Sequence, residues 1–340
     1  MESAAPDDAY AKRLKMLVDD HHALPMQNAG TSPWHDFLLF MRYVRLLRKR
    51  RPAVLLTYTI KPNIYGSLAA RMLGIPVIAN ISGLGTAFLR DNWLTRVATV
   101  LYRLALRPAR VVFFQNAEDR ELFLQRGLVT PQQAVLIPGS GVDLDYFRPT
   151  ECAPDADAPV RFVLIARLLW DKGIGEYIEA ARQVKVTHPR AQFRLVGPRG
   201  VDNKTAIPDA VIDQWVTQGI VDYLGETDAV RDVLAAHDCV VLPSYREGLS
   251  RILLEAAAMG KPIITTDVPG CRQVVDHEKT GLLCRVQDAG DLAVAMRRLL
   301  DYPVAQRTQM GTAARAKAEQ EFDEAHVFDA YLTAIKQLAH

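Results

Sequence analysis

"RPTECAPDADAPVRFVLIAR" (148–167) changes character halfway along. Residues 148–159 are rich in Pro and Asp and carry no periodicity, which reads as a linker. From Arg161 the chain becomes a nearly continuous apolar run, "RFVLIAR" (161–167), as a strand buried on both faces does. The same grammar stands on either side. Before the linker, "AVLLTYT" (53–59), "PVIANIS" (76–82), "RVVFFQN" (110–116) and "AVLIPG" (134–139) alternate with helical stretches at 63–73, 92–107 and 118–126. After it come "AQFRLVG" (191–197), "VDYLG" (221–225), "DCVVLPS" (238–244), "PIITTDV" (262–268) and "GLLC" (281–284), each followed by a helical or polar segment. Helices at 304–320 and 322–338 close the chain. The expectation is an α/β protein of two doubly wound units, with ligands at the C-terminal strand ends in a cleft between them.

The bulk numbers agree. A chain of 340 residues holds two domains of ordinary size. Its 49% hydrophobic and 24% charged residues exclude a disordered chain. The net charge of +2 conceals an asymmetry: residues 1–150 hold 19 Lys and Arg against 12 Asp and Glu, and residues 151–340 hold 22 against 27. Opposite electrostatic character in the two halves suggests different partners. Cys152, Cys239, Cys271 and Cys284 form no CxxC pair and read as reduced thiols of a cytosolic protein. The start, "MESAAPDDAY", is acidic where a signal peptide is basic and then apolar. No run approaches the roughly 20 apolar residues of a spanning helix. A cytoplasmic protein that does not cross a membrane is expected.

Chemistry concentrates in the second unit. "IARLLWDKG" (165–173) ends a strand with Arg167 and adds Lys172 before a helix starting near Gly173. Two cations beside a helix N-terminus suit a diphosphate, although such residues after a strand are ordinarily plain surface charges. "REGLS" (246–250) is a strand-to-helix turn that offers backbone N–H groups to phosphate oxygens. Glu247, an anion in that turn, must serve something neutral, and sugar hydroxyls fit. Glu255 falls inside the following helix among apolar neighbours, where a buried carboxylate is costly without partners. Two vicinal hydroxyls, as on a ribose, would satisfy it; the alternative is a solvent-facing acid on a capped helix.

These residues carry a resemblance. "EGLSRILLEAAAMGKPIITTDVPG" (247–270) resembles the E-x7-E signature of retaining glycosyltransferases with the GT-B fold, two Rossmann-like domains facing a cleft. "IARLLWDKG" resembles their diphosphate-contacting Arg/Lys segment. "YTIKPNIYGSLAARMLGIPVIANISGLGTAF" (58–88) is similar to the bacterial subgroup that extends undecaprenyl-diphosphate-linked glycans, N-acetylgalactosaminyltransferases acting on bacillosamine among them. The resemblance runs from about residue 5 to the C-terminus. It implies a UDP-sugar substrate, the sugar an N-acetylhexosamine, transferred with retention and with no cofactor or metal; no DxD-type motif stands out. On that footing Glu247, Arg167 and Lys172 are the catalytic residues. Gly248, Leu249, Ser250, Arg251 and Glu255 bind the donor, with backbone amides of 248–251 on the diphosphate. Leu224 is placed by position against the base. Many members carry a His where this chain has Ser82, so Ser82, Gly83, Lys61 and Asn63 are the acceptor-side candidates. For Lys61 and Asn63 a plain helix start after Pro62 is an equal reading.

The resemblance sets the domains at 1–149 for the acceptor, 150–322 for the nucleotide sugar, and 323–340 as a helix packing back. Nothing strand-like is evident before "AAPDDAYAKRLKMLVDD", which resembles the tail of a second strand and its helix. The N-terminal domain is therefore expected to be incomplete, with its first strand missing and one edge of strand 53–59 unpaired. "FLLFMRYVRLLRKRR" (37–51) and "WLTRVATVLYRLALRPAR" (93–110) combine apolar residues with arginines at helical spacing. Singly each fits an amphipathic helix on a sheet. Together on a basic domain they suggest an anionic membrane surface and a lipid-linked saccharide acceptor on the inner face of the cell membrane, with no nucleic-acid partner. Two other readings stand beside the transferase: a pseudoenzyme that only binds a nucleotide sugar, and a UDP-sugar 2-epimerase of the same fold.

Overall fold

The computed structural model describes residues 1–6, 11–26, 32–84, 93–150 and 158–338, with the side chains of residues 13 and 93–95 set aside. The chain divides into two compact units. One comprises Met1–Phe114, Arg120–Val135 and Tyr331–His340, and the other Gln115–Asp119 and Leu136–Ala330.

The second unit is built on a six-stranded sheet. Its strands are β7 (Arg161–Ile165), β8 (Gln192–Val196), β9 (Asp222–Tyr223), β10 (Cys239–Leu242), β11 (Ile263–Thr266) and β12 (Gly281–Cys284), in the order β12-β11-β10-β7-β8-β9 and all parallel. Successive side chains point to opposite faces, so an apolar run fills two cores at once. Phe162, Leu164 and Val241 pack with Tyr177, Ile178, Leu292 and Met296 from α6 (Ile174–Thr187) and α10 (Ala289–Asp301). Val163, Val240 and Leu242 pack on the other face with Leu253, Leu254, Ala314 and Ala318 from α9 (Arg251–Ala258) and α11 (Val304–Glu321). Helices on both faces explain why these strands read as unbroken apolar runs.

The chain joins this unit earlier than its composition suggests. Val142 and Phe147 belong to the second of those cores, and the Val142 amide donates to Phe322 O at 2.8 Å. The unit therefore begins before the expected linker, of which residues 151–157 lie outside the described residues. Cys239, Cys271 and Cys284 are buried free thiols, and Cys152 lies outside the described residues.

In the first unit, β3 (Leu55–Tyr58), β4 (Val77–Ile81), β5 (Val111–Phe114) and β6 (Ala134–Leu136) form one sheet in chain order, β3–β4 and β4–β5 parallel. Leu39, Tyr43 and Leu47 of α2 (Pro33–Arg50) and Tyr102 and Leu106 of α4 (Trp93–Leu106) share a core with Val77, Ala79, Ile81 and Phe114. On the opposite face Tyr58, Asn80 and Phe113 stand in register across three strands. Tyr331 of α12 (Glu324–Leu338) covers that row: its hydroxyl accepts from Asn80 Nδ2 at 2.5 Å, and its ring lies 4.6 Å from Phe113 and 6.1 Å from Tyr58. The end of the last helix thus packs back on this sheet.

Among the described residues β3 pairs with β4 alone, so one of its edges carries no strand. Two strands precede it: the first overlaps the strand tail read before the helix, and the second was missed. β1 (Glu2–Ala5) and β2 (Asp20–Ala23) flank α1 (Ala11–Leu17) and pair with each other in parallel. "ESAA" and "DHHA" contain no large apolar residue, so the usual strand signal is absent.

Candidate functional site

The second unit's chain leaves β7 toward β8 and β9 on one side, then returns to β10 and proceeds to β12 on the other. Neighbours β7 and β10 therefore form its topological switch point, where doubly wound sheets bind ligands beyond their C-terminal ends. Arg167 lies two residues past β7, exposed, with no side-chain partner among the described residues. A single 3₁₀ turn, Trp170–Lys172, follows and ends at Gly173, which sits at φ +73° and starts α6. A Cβ on Gly173 would stand 2.0 Å from Pro243 O, so the turn approaches the end of β10 as only glycine permits. That approach brings Lys172 Nζ to 2.5 Å from Glu247 Oε1, with 19% and 15% of the two side chains exposed. Glu247 accepts from an ammonium group, a partner that the sequence reading did not foresee.

The loop after β10 is fixed from two directions. Ser244 Oγ and the Tyr245 amide both donate to Asp171 O, at 3.3 and 3.0 Å. On the other side the Glu247 amide donates to Pro269 O at 3.1 Å and the Ser250 amide to Gly270 O at 3.0 Å. Gly270 is at φ +79°, and a Cβ there would fall 2.5 Å from the Glu247 backbone. One expectation is corrected here: the Ser250 N–H is committed to Gly270 and cannot join a phosphate cradle. The amides of Gly248, Leu249 and Arg251 have no protein acceptor among the described residues, and they open onto the N-terminus of α9. Such amides favour anionic oxygens.

Glu255 is 7% exposed, and one carboxylate oxygen accepts from Arg251 Nε at 2.9 Å. Burial raises its pKa above the ordinary glutamate value, and the Arg251 charge opposes that shift. The solvent-facing alternative is thereby excluded. Cys271 packs near the Lys172–Glu247 pair; burial and the Glu247 charge push its thiol up to about 12, so it stays protonated. Leu224, just past β9, is 45% exposed and its amide donates to Leu195 O at 3.0 Å.

The four acceptor-side candidates, all in the first unit, differ sharply. Asn63 is 1% exposed and its Nδ2 donates to Asn80 O at 2.7 Å. It fastens a π-helical segment, Pro62–Gly66, to β4, and its burial removes it from contact with an acceptor. Lys61 pairs with Asp36 at 2.7 Å with 13% of its side chain exposed, and the other Asp36 oxygen accepts from Tyr65 Oη at 3.0 Å. The plain structural reading prevails for Asn63; Lys61, like Lys172, has a carboxylate partner. Ser82 is exposed immediately after β4, followed by Gly83 at φ +127°. Among the described residues, the grouping with metal-ligand geometry is Glu2, Asp20 and His22 in the β1–β2 sheet, and the Arg50 guanidinium already pairs with Glu2 and Asp20 there.

Sequence reasoning did not assign Asp171, Pro269 or Gly270, although "DVPG" stands in the quoted motif. It also missed Asn116–Asp119, marked in sequence only by an N-cap pattern.

Comparison with known proteins places these geometries in a family. A model described as "Glycosyl transferase 4-like domain" matches residues 4–139, and one described as "Glycosyl transferases group 1" matches residues 159–302. The chain is 27% identical to the N,N'-diacetylbacillosaminyl-diphospho-undecaprenol alpha-1,3-N-acetylgalactosaminyltransferase of Campylobacter jejuni, over 96% of this chain and 88% of that protein. It is 26% identical to the UDP-Gal:alpha-D-GlcNAc-diphosphoundecaprenol alpha-1,3-galactosyltransferase of Escherichia coli, over 78% of this chain and 71% of that one. The fold superposes on that of Anabaena HepE, solved with UDP and glucose, with a TM-score of 0.80 at 19% identity, covering 98% of this chain and 91% of that one. The chain belongs to the GT-B glycosyltransferases, with a glycosyltransferase 4-like domain followed by a group 1 domain.

Proposed function

We propose that this chain transfers a sugar, an N-acetylhexosamine, with retention from a UDP-sugar to a lipid-linked saccharide in bacterial glycan assembly, without a metal. The observation that carries this reading is the convergence at the β7–β10 switch point. The Lys172 cation and the amides of Gly248, Leu249 and Arg251 stand beside Glu247 there, and Arg167 lies exposed two residues past β7. As the bond between sugar C1 and the diphosphate oxygen breaks, negative charge grows on the departing diphosphate. Cations and amides already aimed at it stabilise that charge without reorganisation. Arrival of the diphosphate offers Lys172 a second anion and frees Glu247 to accept from sugar hydroxyls. Glu255 takes the ribose, and Leu224 an apolar face of the base. The names of the Campylobacter and Escherichia relatives support an undecaprenyl-diphosphate-linked acceptor.

Attachment to an anionic membrane face belongs to the same reading. No helix among the described residues is long and apolar enough to cross a membrane. Helix α4 exposes Val97, Val100 and Leu104 on one face with Arg96 and Arg103, an interfacial pattern, and the exposed Arg107 follows its end. Thermal unfolding with UDP and a panel of UDP-sugars tests the donor site. A ligand at about 100 times its Kd adds roughly 2.7 kcal/mol of stability. A melting point that no uridine nucleotide raises would overturn the reading.

A further inference from the structure

Residues 115–119, "QNAED", belong to the second unit although the flanking chain belongs to the first. Two side chains of this segment touch the loop that carries Glu247, and a third reaches it through a relay. Asn116 Nδ2 donates to Gly248 O at 2.7 Å across 132 residues of sequence. Asp119, with no exposed surface, pairs with Arg246, which stands on the other side of Glu247. Glu118 accepts from Gln273 Nε2 at 2.6 Å, Gln273 Oε1 accepts from the Gly270 amide at 2.6 Å, and Gly270 O accepts from the Ser250 amide. The segment is itself rigid. Asn116 Oδ1 accepts from the Asp119 amide at 2.8 Å, the N-cap bond of α5 (Ala117–Gln125), and Asn116 Nδ2 also donates to Asp119 Oδ2 at 3.1 Å.

We infer that Asn116, Glu118 and Asp119 are positioning residues for Glu247. They hold the backbone on both sides of it so that its carboxylate meets the donor sugar in one fixed place. Three chemically separate grips converge on one short loop: a neutral hydrogen bond, a buried ion pair, and a relay through Gln273 and Gly270. A helix start fastened to neighbouring structure for stability alone needs no such distribution about one acid. Displacing a reacting group by about 1 Å can lower turnover on the order of 100-fold. The diphosphate contacts come from Arg167, Lys172 and amides, so loosening this grip lowers turnover more than it lowers UDP affinity. The inference rests on the reading of Glu247 as a donor-sugar contact.

Two variants test it. Asn116→Ser keeps an N-cap oxygen but cannot reach Gly248 O. Glu118→Ala cuts the relay at a side chain that is 36% exposed, where folding is safe. Backbone hydrogen exchange requires no ligand: in both variants the Glu247 and Ser250 amides should exchange about 10-fold faster, while the β7 and β8 amides stay unchanged. UDP affinity should remain within about 2-fold, while UDP release from UDP-N-acetylgalactosamine with bacterial membrane lipid extract falls at least about 10-fold. Glu118→Gln, which preserves an acceptor, should recover most of that loss. Wild-type protection of both amides in both variants would overturn the inference. So would UDP affinity and turnover falling in equal proportion. Glu247→Ala separates the two claims. If it turns over normally, the donor-site reading fails. If it is inactive while Asn116→Ser and Glu118→Ala are fully active, only the positioning inference fails.

Discussion

Lys172 and Glu247, 75 residues apart in sequence, form an ion pair at 2.5 Å at the C-terminal ends of β7 and β10. Both side chains are largely buried, so removing one leaves an uncompensated charge, a larger effect than losing an exposed pair. The pair also assigns separate duties. Lys172→Ala should weaken UDP binding and lower turnover by about 10² to 10³. Glu247→Ala should lower turnover as far yet bind UDP no more weakly, because its loss leaves Lys172 free for the diphosphate. Calorimetric titration of UDP into the two variants checks this; equal weakening in both would contradict it.

Gly173→Ala should destabilise the protein by more than the ordinary effect of an exposed Gly→Ala change. The position combines φ +73° with a Cβ 2.0 Å from Pro243 O. A backbone forced from such a position is destabilised on the order of 1–3 kcal/mol. Thermal melts of the variant with and without UDP would show a lower midpoint and weaker nucleotide stabilisation, since this turn carries Lys172.

Glu255 predicts a pH dependence. Burial holds its folded pKa above the ordinary glutamate value. Between those two values the folded chain keeps a proton that the unfolded chain releases, so this group's contribution to stability falls as pH rises through that window. Glu255→Gln removes the slope. The stability difference between variant and wild type should therefore grow in the variant's favour from about pH 4 toward neutrality, measured by denaturant melts. Weaker UDP binding by the variant at neutral pH would accompany it if the carboxylate accepts from the ribose.

Vesicle binding should depend on the exposed apolar face of α4 more than on the basic end of α2, since Arg103 Nη2 is itself committed to Arg126 O at 2.8 Å. Arg50 already pairs with Glu2 and Asp20, and Arg51 Nη1 donates to Leu73 O at 3.4 Å. Arg48 and Lys49 stay exposed, and each should add roughly 1 kcal/mol near an anionic surface. Val100→Asp with Leu104→Asp places two acids on the exposed α4 face and should abolish co-sedimentation with phosphatidylserine vesicles. Undiminished co-sedimentation would contradict the assignment.

Much of this was readable in sequence, for identifiable reasons. "RFVLI" and "CVVL" are covered on both faces, so every position is apolar and the strands announce themselves. Gly173 and the Glu247–Glu255 spacing are local, so the turn and the helix that they mark could be placed. β2 could not be, and β1 only as the tail of a strand, because "ESAA" and "DHHA" bury little apolar surface. The fates of Lys61 and Asn63 depended on Asp36 and on Asn80 O, 25 and 17 residues away. Nothing local tells which carboxylate a lysine will meet. The same holds for Asn116, whose partner at Gly248 is created only by folding.

Transfer itself is the most direct test of the central claim. Wild-type protein incubated with a radiolabelled UDP-N-acetylhexosamine and bacterial membrane lipid should move label into the organic phase, sensitive to mild acid as a lipid diphosphate is. Glu247→Ala should fold, bind UDP and leave the label in water. Binding of UDP-sugars by the wild type with no label entering lipid, or equal labelling by wild type and Glu247→Ala, would contradict the account.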